Sequence, residues 1–233
     1  DMGACTWEYP TIDVAPLADT APVREAVGRL SCFDWLVFTS VNGVKYFWHE
    51  LAAMNQDARA LGGLKVAAIG PATAQALAER GIKADFVPEK YIAESVVEGL
   101  LALQIGGKKV LIPRAAQARE VLPEELSRAG ALVEVLPVYE TRLAQQDPDE
   151  VVAAIQEGEI HYLTFTSSST VDNFFAMIPA GRLAPLRDKV KIACIGPITA
   201  ATLKKHGFDP DIQPEAYTIP ALAKALASAV DKG

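Results

Sequence analysis

The chain writes one pattern twice, and that duplication constrains its fold more than any other feature. The run from Asp34 to Ser40, DWLVFTS, returns as HYLTFTS from His161 to Ser167. IGPATAQALAERG from Ile69 to Gly81 returns as IGPITAATLKKHG from Ile195 to Gly207, about 126 residues on. A spacing this long lies outside the roughly 20 to 50 residues of solenoid repeats, so the repeating unit is a domain rather than a motif. A duplicated α/β domain is well suited to enclosing a ligand between its copies.

Both copies alternate short apolar runs with helical patterns. Leu36 to Thr39, Lys65 to Ile69 and Ala84 to Val87 read as parallel strands covered on both faces, as do Tyr162 to Thr166, Lys191 to Ile195 and a short strand near Ile212. Helices are expected over Asn42–Met54, Pro71–Arg80 and Ser95–Gln104, and over Thr170–Met177, Pro197–His206 and Ile219–Val230. Pro71 suits a first helical turn, and Gly81 suits the left-handed position that closes a helix. Lys109 to Arg114 adds a strand, Val121 to Ala129 a helix closed by Gly130, and Leu132 to Leu136 another strand. Each repeat should begin with a strand and helix like those at 109–131, and the first repeat lacks them. A segment ahead of Asp1 is the expected source, and the 144–233 domain is expected to show either a gap beside strand 162–166 or a strand from elsewhere filling it.

With 233 residues, half of them apolar and 22% charged, the chain has the balance of an ordinary globular protein with one or two cores. A net charge of −7 gives no general attraction for nucleic acid or anionic membrane. No apolar run reaches the roughly 20 residues of a membrane span, and the start carries no export signal, so a cytoplasmic protein is expected. Cys5, Cys32 and Cys194 are odd in number and widely spaced, which argues for free thiols. His49, His161 and His206 match no zinc spacing. GxGxxG and GxxxxGK[ST] are both absent, so no nucleotide cofactor is expected, nor, without zinc spacing, a metal; without GxSxG the serine and threonine hydroxyls read as hydrogen-bond donors rather than a nucleophile.

The polar residues collect where parallel α/β sheets hold ligands, at the C-terminal ends of strands facing helix N-termini. Thr39 and Ser40 end one strand, and Thr166, Ser167, Ser168 and Ser169 its counterpart. Gly70-Pro71-Ala72-Thr73 and Gly196-Pro197-Ile198-Thr199 follow the next strand in each copy. Glycine there allows close backbone approach to a ligand, and free N–H groups of a first helical turn favour an anion. Plain helix capping by Ser and Thr accounts for the same residues without a ligand.

These segments, with Val110-Leu111-Ile112-Pro113-Arg114, Leu136-Pro137-Val138-Tyr139-Glu140-Thr141 and the late Pro220-Ala221-Leu222, resemble the uroporphyrinogen-III synthase family over essentially the whole chain. The resemblance implies two flavodoxin-like parallel-sheet domains joined by two extended crossing segments, with the active cleft between the domains. Residues 16–138 would form one domain and residues 1–10 with 144–233 the other, with crossings at 11–15 and 139–143. In the 16–138 domain, by this resemblance and the duplicated motifs, strand 132–136 is expected beside 110–114, then 34–39, 65–69 and 84–87. The implied substrate is hydroxymethylbilane, a linear tetrapyrrole with eight carboxylates, which is cyclised to uroporphyrinogen III with inversion of ring D and loss of water. Hydroxymethylbilane synthase is then the upstream partner, and the chain is expected to act as a monomer.

By the same resemblance, Tyr139 is the expected proton donor to the departing hydroxyl. Thr39, Ser40, Gly70, Thr73, Arg114, Ser167, Ser168, Gly196 and Thr199 are expected to bind the acetate and propionate arms. Packing of the crossing is the alternative role for Tyr139, and a surface ion pair is the alternative for Arg114. At the level of the whole chain, two other readings stay open. One is a two-lobed, non-catalytic binding protein for an anionic small molecule; the other is the synthase part of a longer pathway fusion.

Overall fold

The computed structural model describes residues 3–90 and 92–230. The chain forms two compact units, Val14–Arg142 on one side and Asp1–Asp13 with Leu143–Gly233 on the other. Element order through the first of these is β1 (Ile12–Pro16), α1 (Ala21–Gly28), β2 (Trp35–Phe38), α2 (Val41–Ala53), β3 (Lys65–Ala68) and α3 (Pro71–Ala78). It continues through α4 (Ala93–Ala102), β4 (Lys109–Ala115), α5 (Val121–Arg128) and β5 (Leu132–Leu143). Next come α6 (Pro148–Glu157), β6 (Tyr162–Phe165), α7 (Ser168–Met177), α8 (Ala180–Leu183), β7 (Lys191–Cys194), α9 (Pro197–Lys205) and α10 (Ile219–Val230).

In the Val14–Arg142 unit the strands lie in the order β1-β5-β4-β2-β3. The pairings of β5 with β4, β4 with β2 and β2 with β3 are parallel. The run β5-β4-β2-β3 is the expected order. Successive side chains of β2 point to opposite faces. Leu36 and Phe38 join a core with Phe47, Leu51 and Leu77, while Trp35 and Val37 join a second core with Val96, Leu100 and Leu126. All four residues of β2 are buried, as a central parallel strand requires. Gly43 lets α2 sit close against this sheet, because a Cβ there would meet the Pro113 carbonyl oxygen at 3.0 Å.

Three elements depart from the sequence expectation. The strand expected at 84–87 is a single bridge from Phe86 to Ala67, and the one near Ile212 is a bridge to Ala193. In both places an aspartate takes over part of the ladder. Asp85 accepts the Val66 N–H at 2.7 Å, and Asp211 accepts the Ile192 N–H at 2.6 Å. Pro88 and Pro214 follow shortly after, and a proline cannot donate to a continuing ladder. The strand expected to stop at Leu136 runs on to Leu143, with a register shift at Arg114/Ala115. Helices α1 and α6 were not foreseen.

The other unit holds a parallel two-stranded sheet, β6-β7, backed by one core of Phe165, Phe174, Ile178, Ile192 and Leu203 among others. Among the described residues no strand pairs with the second edge of β6. The consequence shows in burial: Phe165 alone of the four β6 residues is buried, and Thr164, the counterpart of fully buried Val37, is exposed. Helices α3 and α9 are both followed by a left-handed glycine, Gly81 at φ +81° and Gly207 at φ +85°. Among the described residues no helix is long and apolar enough to cross a membrane, and no three His, Cys, Asp or Glu side chains gather as a metal site would need.

Candidate functional site

In the Val14–Arg142 unit, the C-terminal ends of β2, β3 and β4 open on a cavity of about 330 Å³. Thr39, Ile69, Ile112 and Arg114 line it with the first turns of α4 and α5. Arg114 is 6% exposed, an unusual degree of burial for a cation. Its NH1 donates to the Arg119 carbonyl at 2.8 Å and its NH2 pairs with the Glu120 carboxylate, while its buried Nε has no partner. The expected alternative for Arg114, an ion pair, is thus present, but only Glu120 of the two partners lies at the surface.

Ser40 and Tyr139 form a second cluster in this unit. Ser40 is the N-cap of α2, and its Oγ accepts the Gly43 N–H at 2.9 Å. The same Oγ lies 3.1 Å from the Tyr139 hydroxyl. Tyr139 is 8% exposed and stacks on Tyr46 at 5.5 Å, and the Tyr46 hydroxyl donates to the Val14 carbonyl at 2.5 Å. Ser40, expected to bind substrate, caps α2 and contacts the Tyr139 hydroxyl with the same oxygen. Its place is therefore beside the catalytic candidate. Gly70 caps α3 in an extended conformation that any residue adopts, and Thr73 is buried one turn into that helix.

In the other unit the capping account describes the serines well. Ser167 and Thr170 form a reciprocal capping box at α7, and Ser168 Oγ reaches the Ile198 carbonyl at 3.4 Å. Gly196 has a reason for being glycine other than ligand approach: a Cβ there would meet the Tyr217 ring at 3.0 Å. Thr199 is buried at 4%, matching Thr73 at 3%. Tyr9 went unnoticed in the sequence. Its hydroxyl is buried without a partner, and burial, with Asp147 and Glu150 adding to it, pushes its pKa up. Tyr46 and Glu120 were also missed, since neither belongs to a recognisable motif.

The profile of the family described as "Uroporphyrinogen-III synthase HemD" matches residues 1–224. The uroporphyrinogen-III synthase of Synechococcus elongatus is 32% identical over 228 residues, covering 96% of this chain and 86% of that protein. That of Chlorobaculum parvum is 32% identical over 230 residues, covering 98% and 90%. Among solved structures, the uroporphyrinogen-III synthetase of Helicobacter pylori superposes with a TM-score of 0.60 at 20% identity, covering 94% of this chain and 91% of that one. That superposition supports the fold, and the profile and the two relatives establish the lineage. The chain belongs to the uroporphyrinogen-III synthase family.

Proposed function

We infer that the chain cyclises hydroxymethylbilane to uroporphyrinogen III, as a lyase of tetrapyrrole biosynthesis. The observation that carries this reading is the family match across residues 1–224. The reaction starts when the pyrrole nitrogen of ring A expels the hydroxyl from its hydroxymethyl arm, leaving an azafulvene cation. The α-carbon of ring D that already bears a bridge attacks that cation and forms a spiro-pyrrolenine. The bond from the spiro carbon to the bridge of ring C then breaks, the free α-carbon of ring D bonds to that bridge with the ring turned over, and loss of the proton from that carbon restores the pyrrole. Because the bilane closes unaided to the symmetric isomer I, the protein's task is largely to hold a flexible chain in the geometry for spiro attack.

Tyr139 is the group assigned to the leaving hydroxyl. A phenol donates a hydrogen bond without being ionised, and a donor is worth most where negative charge develops. Ser40 supports the assignment. Since its Oγ already accepts the Gly43 N–H, its own proton is available for the Tyr139 oxygen, which leaves the phenol proton for substrate. Arg114 takes a carboxylate arm through its planar fork. The first turns of α3 and α9, entered at Gly70 and Gly196, offer N–H groups to further arms, and Thr73 and Thr199 stand in the same turns. Thr39, at the cavity wall, and Ser167 and Ser168, at the start of α7, complete the polar set. The substrate comes from hydroxymethylbilane synthase, and the protein works as a cytoplasmic monomer. Incubating freshly made hydroxymethylbilane with the protein and separating the oxidised products tests the reading. Isomer III is the expected product, and isomer I alone, at the unassisted rate, would overturn it.

A further inference from the structure

We propose that Glu120 is a built-in stand-in for a substrate carboxylate, and that the Arg114 cavity becomes a carboxylate subsite when this side chain swings out. The inference rests on the reading of the substrate as a polycarboxylate. Its starting point is an asymmetry within one ion pair: the Arg114 side chain is 7% exposed and fixed in the cavity wall, whereas the Glu120 side chain is 58% exposed at the rim. A buried guanidinium without an anion is costly, so some carboxylate must face it. Glu120 can leave at little cost, because water rehydrates it; Arg114 cannot.

The pairing is also incomplete. A guanidinium presents two N–H groups side by side along its Nε–NH2 edge, and a carboxylate seated there fills both. Glu120 engages NH2 with one oxygen, and the neighbouring Nε, buried, has no partner. NH1 is separately held by the Arg119 carbonyl at 2.8 Å, which fixes the plane of the fork. An entering carboxylate that spans Nε and NH2 satisfies one more donor than Glu120 does. The remaining walls suit what such a carboxylate would hang from. Ile69, Ile112 and Leu122 offer an apolar surface to a pyrrole ring and its methylene arm. Glu94 also lines the cavity. Its negative charge favours one carboxylate at Arg114 over two in the same space.

The test is Glu120→Gln, which keeps the side chain's size and removes its charge. Two readouts are needed: the KM for hydroxymethylbilane, and NMR titration of a monopyrrole carrying one acetate and one propionate arm. Losing the competing anion should lower the KM and tighten the monopyrrole about fivefold each, the scale of a rim-exposed ion pair. The tightening should vanish in the Arg114→Ala/Glu120→Gln double variant. Unchanged or weaker monopyrrole binding by Glu120→Gln would overturn the proposal, as would a gain that persists without Arg114. Glu120→Asp keeps the charge on a shorter arm that reaches NH2 less well, so it should also bind the monopyrrole more tightly than the parent; no gain there counts against the proposal even if the Gln variant folds poorly. If the parent protein forms no isomer III, the functional reading fails separately, because the titration does not depend on turnover.

Discussion

Replacing Tyr139 by Phe separates the catalytic role proposed for this residue from its structural one, because the two predict effects of different sizes. The substitution keeps the ring, so the stack on Tyr46 at 5.5 Å is retained, and it removes only the hydroxyl 3.1 Å from Ser40 Oγ. Ser40 is not orphaned, since its Oγ keeps the Gly43 N–H at 2.9 Å. The structural loss is one neutral, part-buried hydrogen bond, about 0.5–1.5 kcal/mol. In a protein of this size that lowers the melting temperature by only about 2–4 °C per kcal/mol. Loss of a donor to the departing hydroxyl is a transition-state effect, worth about 10²-fold or more in turnover. Isomer-resolved turnover should therefore fall by at least two orders of magnitude while KM changes little, the signature of an interaction made only in the transition state. Some isomer III should persist, because a correctly folded bilane still closes. Turnover of the Phe variant equal to the parent's, with the melt within a few degrees, would return Tyr139 to a purely structural role.

Four further outcomes are expected. Ser40→Ala should lower both stability, by about 1 kcal/mol for the lost cap of α2, and turnover, by less than Tyr139→Phe does; melts and isomer-resolved rates read the two separately. Arg114→Ala should mainly weaken bilane binding, by about 1–3 kcal/mol, visible as a raised KM. In a thiol titration of the folded protein Cys5 and Cys32, which are exposed, should react quickly, and Cys194 slowly, because burial raises its thiol pKa and blocks access. Gly196→Ala should be tolerated once Tyr217→Ala is added; a loss of activity that the second change leaves in place would show that the glycine serves a ligand instead.

Much of the fold was legible because the pattern is local. The apolar run Trp35–Phe38 and the proline at the start of α3 identify their elements from neighbouring residues alone, and the repeat then locates their partners. What was not legible depends on contacts distant in sequence. The Nε of Arg114 is orphaned only because Glu120 approaches from one side, and Ser40 turns from a ligand candidate into the partner of Tyr139 through a contact 99 residues away. The length of β5 was hidden for another reason: its last residues, from Glu140 to Leu143, are polar or exposed, so no apolar run announces them.

Asp85 and Asp211, at matching places in the repeated sequence pattern, do the same structural work. Each lies at the same place in its repeat and accepts the N–H of a residue in the neighbouring strand, so each substitutes a side chain for part of a β-ladder. Their surroundings differ. Asp211 also pairs with Arg187 at 2.7 Å. Burial pushes the Asp211 pKa up, but the bonds from Arg187 and Ile192 outweigh it and hold the carboxyl below the usual carboxylate range. A carboxyl whose folded pKa is depressed stabilises the fold above its unfolded pKa, and that contribution is lost as pH falls through the folded value. Asp211→Asn should therefore cost about 1 kcal/mol near neutral pH, and the difference from the parent should shrink steadily as the medium is acidified through the carboxylate range. Denaturant melts at stepped pH read this directly. A stability gap that stays constant from neutral to acid pH would show that the aspartate acts by shape and hydrogen bonding alone, and that its charge adds nothing to the ladder it completes.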